Sequence, residues 1–145
     1  MFKKILSMVL ALLMIAGIAI SMVSCDDKND DFKLGVILLH DEASTYDLNF
    51  LEAVERAKEQ LGLTDAQVIY KKNIPESNAC YEAAADLVDE GCDIIFADSF
   101  GHETYMLKAA KEFTDVEFCH ATGCKAATEN LPNYHNAFAS IYEGR

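Results

Sequence analysis

What most constrains this chain is a set of short apolar runs, bounded by turn residues and separated by stretches of helical periodicity. "KLGVILL" (33–39) is continuously apolar, without the polar alternation of a strand that has one wet face, so it reads as a strand covered on both sides. "AQVIYKK" (66–72) is a second, shorter strand, "CDIIFADS" (92–99) a third, "DVEFCHATG" (115–123) a fourth and "HNAFASI" (135–141) a fifth. Between the first two, Asp47 to Leu61 places Phe50, Leu51, Val54, Ala57 and Leu61 on one helical stripe, closed by Gly62. "PESNACYEAAADLVDEG" (75–91) predicts a helix with Pro75 at or near its first turn and Gly91 at its end. "GHETYMLKAAKEF" (101–113) predicts a third helix, and a loop with Asn130, Pro132 and Asn133 leads into the fifth strand.

Such alternation with short connections predicts an α/β fold: an open, mostly parallel five-stranded sheet of order 2-1-3-4-5, with helices on both faces and right-handed crossovers. In sheets of this kind ligands sit beyond the carboxyl ends of the strands, at the switch point between strands 1 and 3. Here those ends are 40–47, 98–102 and 121–125.

The first of these ends, "HDEASTYDLNF" (40–50), carries more chemistry than a turn needs. Ser44 and Thr45 suit helix capping, as does Asp47. Tyr46 offers a flat apolar face on which a ring can stack, where a core filler would sit on the helix stripe instead. The second end, "ADSFGHET", joins Asp98 and Ser99 to Gly101 and His102 at a helix start, where free N–H groups attract hydroxyls or anions. Gly101 fits either close backbone approach or an ordinary cap, and His102 reads as a solvated helix-start residue rather than a general base. The third end adds Thr122, Gly123 and Lys125.

Nothing here reads as an enzyme. Cys119 and His120 are neighbours on a strand, so their side chains point to opposite faces and cannot form a nucleophile–base pair. The sequence holds no Gly-rich phosphate loop, no G-x-S-x-G and no H-E-x-x-H. The acids Asp41, Glu42 and Asp98, with Thr122 ending strand 4, mimic a phospho-accepting receiver domain, but the fifth strand lacks the lysine that chemistry needs. His102, His120 and His135 are not at zinc-finger spacing, so neither a metal nor a cofactor is expected.

The first 25 residues stand apart. Lys3 and Lys4, an apolar run from Ile5 to about Ile20 and small residues ahead of Cys25 follow the grammar of a secretory signal. "MVSC" followed by the polar "DDKNDD" resembles a bacterial lipobox, whose cysteine is acylated on sulfur and becomes the mature N-terminus. More than one acyl chain on Cys25 would hold a soluble domain to a membrane durably. An uncleaved membrane anchor is the other reading of that run. With Lys3 and Lys4 set aside, 10 of the 12 basic residues face 24 acidic ones, a net of −14. Such a polyanion is repelled by nucleic acid, which excludes it as a partner. Cys80 and Cys92 lie at opposite ends of a predicted helix, too far apart for a bridge. Four buried or free thiols are expected, with a Cys119–Cys124 pair across a short loop as the alternative.

Three stretches, "STYDLNFLEAVERA", "CYEAAADLVDEGCDIIFADSFGHETYMLKAAKEFTDVEF" and "NAFASIYEGR", resemble the N-terminal part of the basic membrane protein family. These are solute-binding lipoproteins of ABC importers and include purine nucleoside receptors. The resemblance runs from about Lys33 to Arg145. Family members often have D-x-S-F-N after strand 1, where the Phe stacks on the nucleobase. Matching through "LEAV" puts Tyr46 on that Phe and Asp47 on that Asn, with Asp41 and Glu42 near the family's acid. Asp98, Ser99 and Gly101 match the strand-3 loop that faces the ligand.

The resemblance therefore implies a signal peptide over 1–24, a lipidated Cys25 with a polar tether to residue 32, and an N-terminal lobe over 33–145 whose second lobe is missing. It implies no covalent chemistry: a receptor on the extracytoplasmic face of the cell membrane captures a small, nucleoside-like solute for an ABC permease. A single lobe cannot close over a ligand, so weak binding is expected, and "YEGR" would mark a truncated reading frame. The competing expectation is a lone lipid-anchored domain that senses a signal or binds a protein without transport.

Overall fold

The computed structural model describes residues 31–137; the signal segment, Cys25, most of the tether and the stretch from 138 to "YEGR" lie outside the described residues. The elements are β1 (Leu34–Ile37), α1 (Thr45–Leu61), β2 (Val68–Lys71), α2 (Asn78–Asp89), β3 (Ile94–Ala97), α3 (Glu103–Glu112), β4 (Glu117–His120), α4 (Ala126–Glu129) and β5 (Tyr134–Asn136). The strands form one sheet in the order β2-β1-β3-β4-β5, every pairing parallel, as expected from the sequence.

Strand periodicity divides the core between the two faces. From β1, Val36 and Leu38 pack with Leu51 of α1, Leu63 and Val68, and Phe50, Val54 and Phe96 lean on that cluster. Ile37, one residue out of phase, joins the opposite cluster with Ile95, Ala97 and Phe118, beneath Ala83, Ala84 and Leu87 of α2 and Met106, Ala109 and Ala110 of α3. Gly35 lets α2 come close, since a Cβ there would lie 2.9 Å from Leu87 Cδ1. Fully burying a leucine such as Leu87 contributes about 1.5–3 kcal/mol.

The ends of the elements follow from their side chains. Ser44 caps α1 by accepting from the Asp47 N–H, and Gly62 closes it at φ 69°, a left-handed value that glycine adopts without strain. α2 begins at Asn78 behind the cap Ser77, so Pro75 lies in the preceding loop and not in the first helical turn. The sequence did not announce α4, whose four residues fall within the expected loop. Asn133 secures the far end of α3: its side-chain amide donates to the carbonyls of Ala110, Phe113 and Val116 at 3.0–3.1 Å. Only Ala110 belongs to the helix; Phe113 is its cap and Val116 lies in the loop that follows, so one side chain ties the helix end to that loop.

Candidate functional site

β1 hands over to α1 because side chains take over from the sheet. The Leu39 N–H donates to Asp98 Oδ1 at 3.2 Å, and the His40 N–H donates to Asp47 Oδ1 at 2.8 Å. Two carboxyls thus stand where a neighbouring strand would have offered carbonyls. The chain then turns through Asp41, whose Oδ1 accepts from the Ala43 N–H, and enters the helix at Ser44. Asp41 Oδ2 also accepts from the Asn73 side chain, which ties this loop to the one after β2.

Asp47 and Asp98 are both fully buried. Burial alone would raise Asp47, but the Ser44 hydroxyl, the His40 N–H and the carboxyl of Asp98 outweigh it and hold Asp47 at about 2. For Asp98, burial and then the hydrogen bond and charge of Asp47 act together and push it up to about 7. Two carboxyls this close cannot both ionise cheaply, so the pair shares one proton, held on Asp98. Asp98 Oδ2 has no hydrogen-bond partner among the described residues.

Tyr46 roofs the pair. Its hydroxyl donates to the Asp98 carbonyl at 3.0 Å, while 46% of the residue stays exposed. The ring leans edge-on against Phe50, which packs on Phe96, so its angle is set from below. The loop after β3 is braced from the side. Glu76, on the loop after β2, accepts from the Ser99 hydroxyl at 2.5 Å and the Gly101 N–H at 2.9 Å. Those two donors hold its carboxyl below the usual range. The Ser99 carbonyl accepts from the His102 N–H, and His120 Nε2 lies 2.6 Å from it.

The sequence-derived candidates therefore divide. Tyr46 faces the mouth of the sheet. Asp41 is half-buried and engaged in loop bonds, Gly101 is half-buried, and Asp47, Asp98 and Ser99 form the floor. Gly101 makes its close approach to Glu76, whose carboxyl a Cβ would overlap. His102 is fully buried and not solvated: its Nε2 lies 2.9 Å from the Ile74 carbonyl, and burial lowers its pKa. Thr122 lies beside the Tyr46 hydroxyl, and Lys125 bonds Thr104. Cys80, Cys92, Cys119 and Cys124 are all free.

Two residues at the mouth escaped sequence reasoning, Glu76 and Phe100. The topological rule that singled out the ends of β1 and β3 applies equally to the end of β2, which places Glu76. A bulky apolar residue between Ser99 and Gly101 in a turn was the sign of Phe100. Elsewhere, a groove of about 470 Å³ runs between α1 and β2, lined by Leu48, Leu51, Glu55, Arg56 and Tyr70 among others. It lies on the outer edge of the sheet and not at the switch point.

No family model matches the chain. A stretch of 79 residues, 54% of the chain, is 35% identical to a purine-binding protein of Brucella abortus (strain 2308), of which it covers 21%. Among solved structures, an ABC transporter solute-binding protein from Conexibacter woesei superposes with a TM-score of 0.62 at 21% identity, over 74% of this chain and 35% of that one. The fold is that of a solute-receptor lobe. A transcriptional activator of the comK gene from Bacillus halodurans has the same fold at a TM-score of 0.53 and 18% identity, over 63% of this chain and 30% of that one. The lobe thus spans about a fifth of the purine-binding relative and about a third of the solute-binding structure. Both bear out the resemblance to the basic membrane protein family drawn from the sequence.

Proposed function

We propose that this lobe belongs to a receptor that captures a purine nucleoside or a close relative outside the cell and delivers it to an ABC permease. The observation that carries this reading is Tyr46: a half-exposed ring at the switch point, fixed by its hydroxyl on the Asp98 carbonyl and by Phe50 beneath it. An aromatic held rigidly in that place loses little freedom on stacking against a base. The purine-binding relative from Brucella abortus supports the choice of solute class. Binding without covalent chemistry agrees with the state of the site's reactive groups. Nε2 of both buried histidines lies against a backbone carbonyl, and burial pushes Cys80 up to about 12 and raises Cys119.

Cys25 would carry the lipid that keeps the receptor at the extracytoplasmic face of the membrane. Intact mass of the native protein, extracted from the membranes of its own cell, tests this: the acyl mass on a chain beginning at Cys25 is expected, and an unmodified N-terminus would rule the anchor out. Tyr46→Ala tests the solute site. In the full-length receptor it is expected to weaken guanosine or adenosine binding about ten-fold or more by calorimetry, with the melting temperature nearly unchanged. Unchanged affinity would remove the stacking role.

A further inference from the structure

Among the described residues three large apolar side chains are exposed: Tyr46, Leu61 and Phe100. Leu61 ends α1, whereas the other two stand at the mouth of the sheet. Phe100 is the most exposed of the three at 66%. Its backbone, in contrast, belongs to one of the most tightly held turns of the fold. Before it, the Ser99 hydroxyl is bound by Glu76 and the Ser99 carbonyl by the His102 N–H and the His120 ring. After it, the Gly101 N–H is bound by the same Glu76 carboxylate, and the His102 ring reaches the Ile74 carbonyl. A phenyl ring left in water on a braced turn is pre-organised for contact, since neither it nor its support needs to be ordered on binding.

Its place defines the contact. Tyr46 donates to the carbonyl of Asp98, two residues before Phe100. Two residues of chain span at most about 7 Å, so Phe100 stands on the same strand end that Tyr46 reaches. We infer that Phe100 is a second ring-binding wall of this mouth and that Glu76 is the residue that positions it. The pair selects a flat aromatic solute over a non-aromatic one of similar polarity, because two ring faces reward a π-system and offer a bare sugar few polar partners. Glu76 acts by holding the Ser99–Gly101 turn, and nothing in its sequence context other than its place after β2 marks it for that role.

The inference rests on the receptor reading, and calorimetry on the full-length protein separates the two. Guanosine and D-ribose are titrated into the wild type and into Phe100→Ala, Phe100→Trp, Glu76→Ala and Glu76→Gln, with melting curves recorded for each. Phe100→Ala is expected to weaken guanosine binding about ten-fold with little change in melting, and Phe100→Trp to restore it. Glu76→Ala is expected to lose several-fold. Glu76→Gln, whose amide oxygen can still accept from Ser99 and Gly101, is expected to approach the wild type. Wild-type guanosine affinity in Phe100→Ala overturns the wall while leaving the receptor reading in place. Equal losses for guanosine and ribose overturn it too, since they would make Phe100 a structural contact rather than a ring-selective one. A wild type that binds no nucleoside overturns the receptor reading and this inference with it.

Discussion

At the scale of single residues, the shared proton of Asp47 and Asp98 makes the pair sensitive to pH. Asp98 rises from an ordinary 3.8 to about 7, so between those values the folded chain keeps a proton that the unfolded chain has released. Its contribution to stability is therefore full below pH 3.8 and is lost as pH rises through about 7. Asp47, lowered to about 2, acts in the opposite sense below 3.8. His102 and His120, both lowered by burial, add stability as pH rises towards 6.5, so the slope of the wild type alone mixes these effects. Comparison with Asp98→Asn removes the share of His120, while His102, whose Nδ1 lies 4.0 Å from Asp98 Oδ1, is followed separately by its own titration. That variant is expected to gain roughly 1–3 kcal/mol on the wild type between pH 5 and pH 8, measured by urea unfolding. A constant difference across that range would mean that Asp98 holds no proton. Tyr46 was legible in the sequence because an aromatic at a strand's carboxyl end is out of place in a core stripe. The proton was not legible, because residues 47 and 98 meet only when β1 and β3 pair. His102 was misread for a related reason: a helix start is usually wet, but here the loop after β2 folds over it.

At the scale of elements, five strands and three long helices were readable because continuous apolar runs and 3.6-residue stripes are long enough to stand out. The misplaced start of α2 has a local cause. Ser77 outcompetes Pro75 as the start signal because its hydroxyl accepts from the Ala79 N–H. α4 has no stripe to read, since four residues complete barely one turn. α2 comes close to β1 at Gly35, where an added Cβ would lie 2.9 Å from Leu87 Cδ1. Gly35→Val is expected to cost about 1–3 kcal/mol by forcing Leu87 from its position, seen as a lower denaturation midpoint with an unchanged slope. A variant as stable as the wild type would show that Leu87 has room to turn away.

At the scale of the whole molecule, acidity governs behaviour. The chain carries a formal net charge of −12, and several of its cations already sit in surface pairs, such as Lys58 with Glu55 and Asp65, or Lys111 with Glu129. Exposed pairs of this kind are individually worth little, whereas uncompensated repulsion accumulates over the surface. Raising sodium chloride from about 20 to about 200 mM is therefore expected to raise the melting temperature by about 2–5 °C, as screening removes more repulsion than attraction. A fall in melting temperature would mean that the surface pairs matter more than the excess acid. The topology of the sheet was fully legible at this scale. The second ring and its brace were not, since both depend on three loops meeting over one strand end.

The central strand also sets a timetable. Leu34 pairs with Val68 on one side and Ile94 on the other, so the first strand to be synthesised keeps one edge open until β3 has been made. Chains whose earliest segment must recruit late ones fold slowly and cannot lock up piecemeal while they emerge. The open edge of β1 is thus the place where a partly made chain can mispair before β3 arrives.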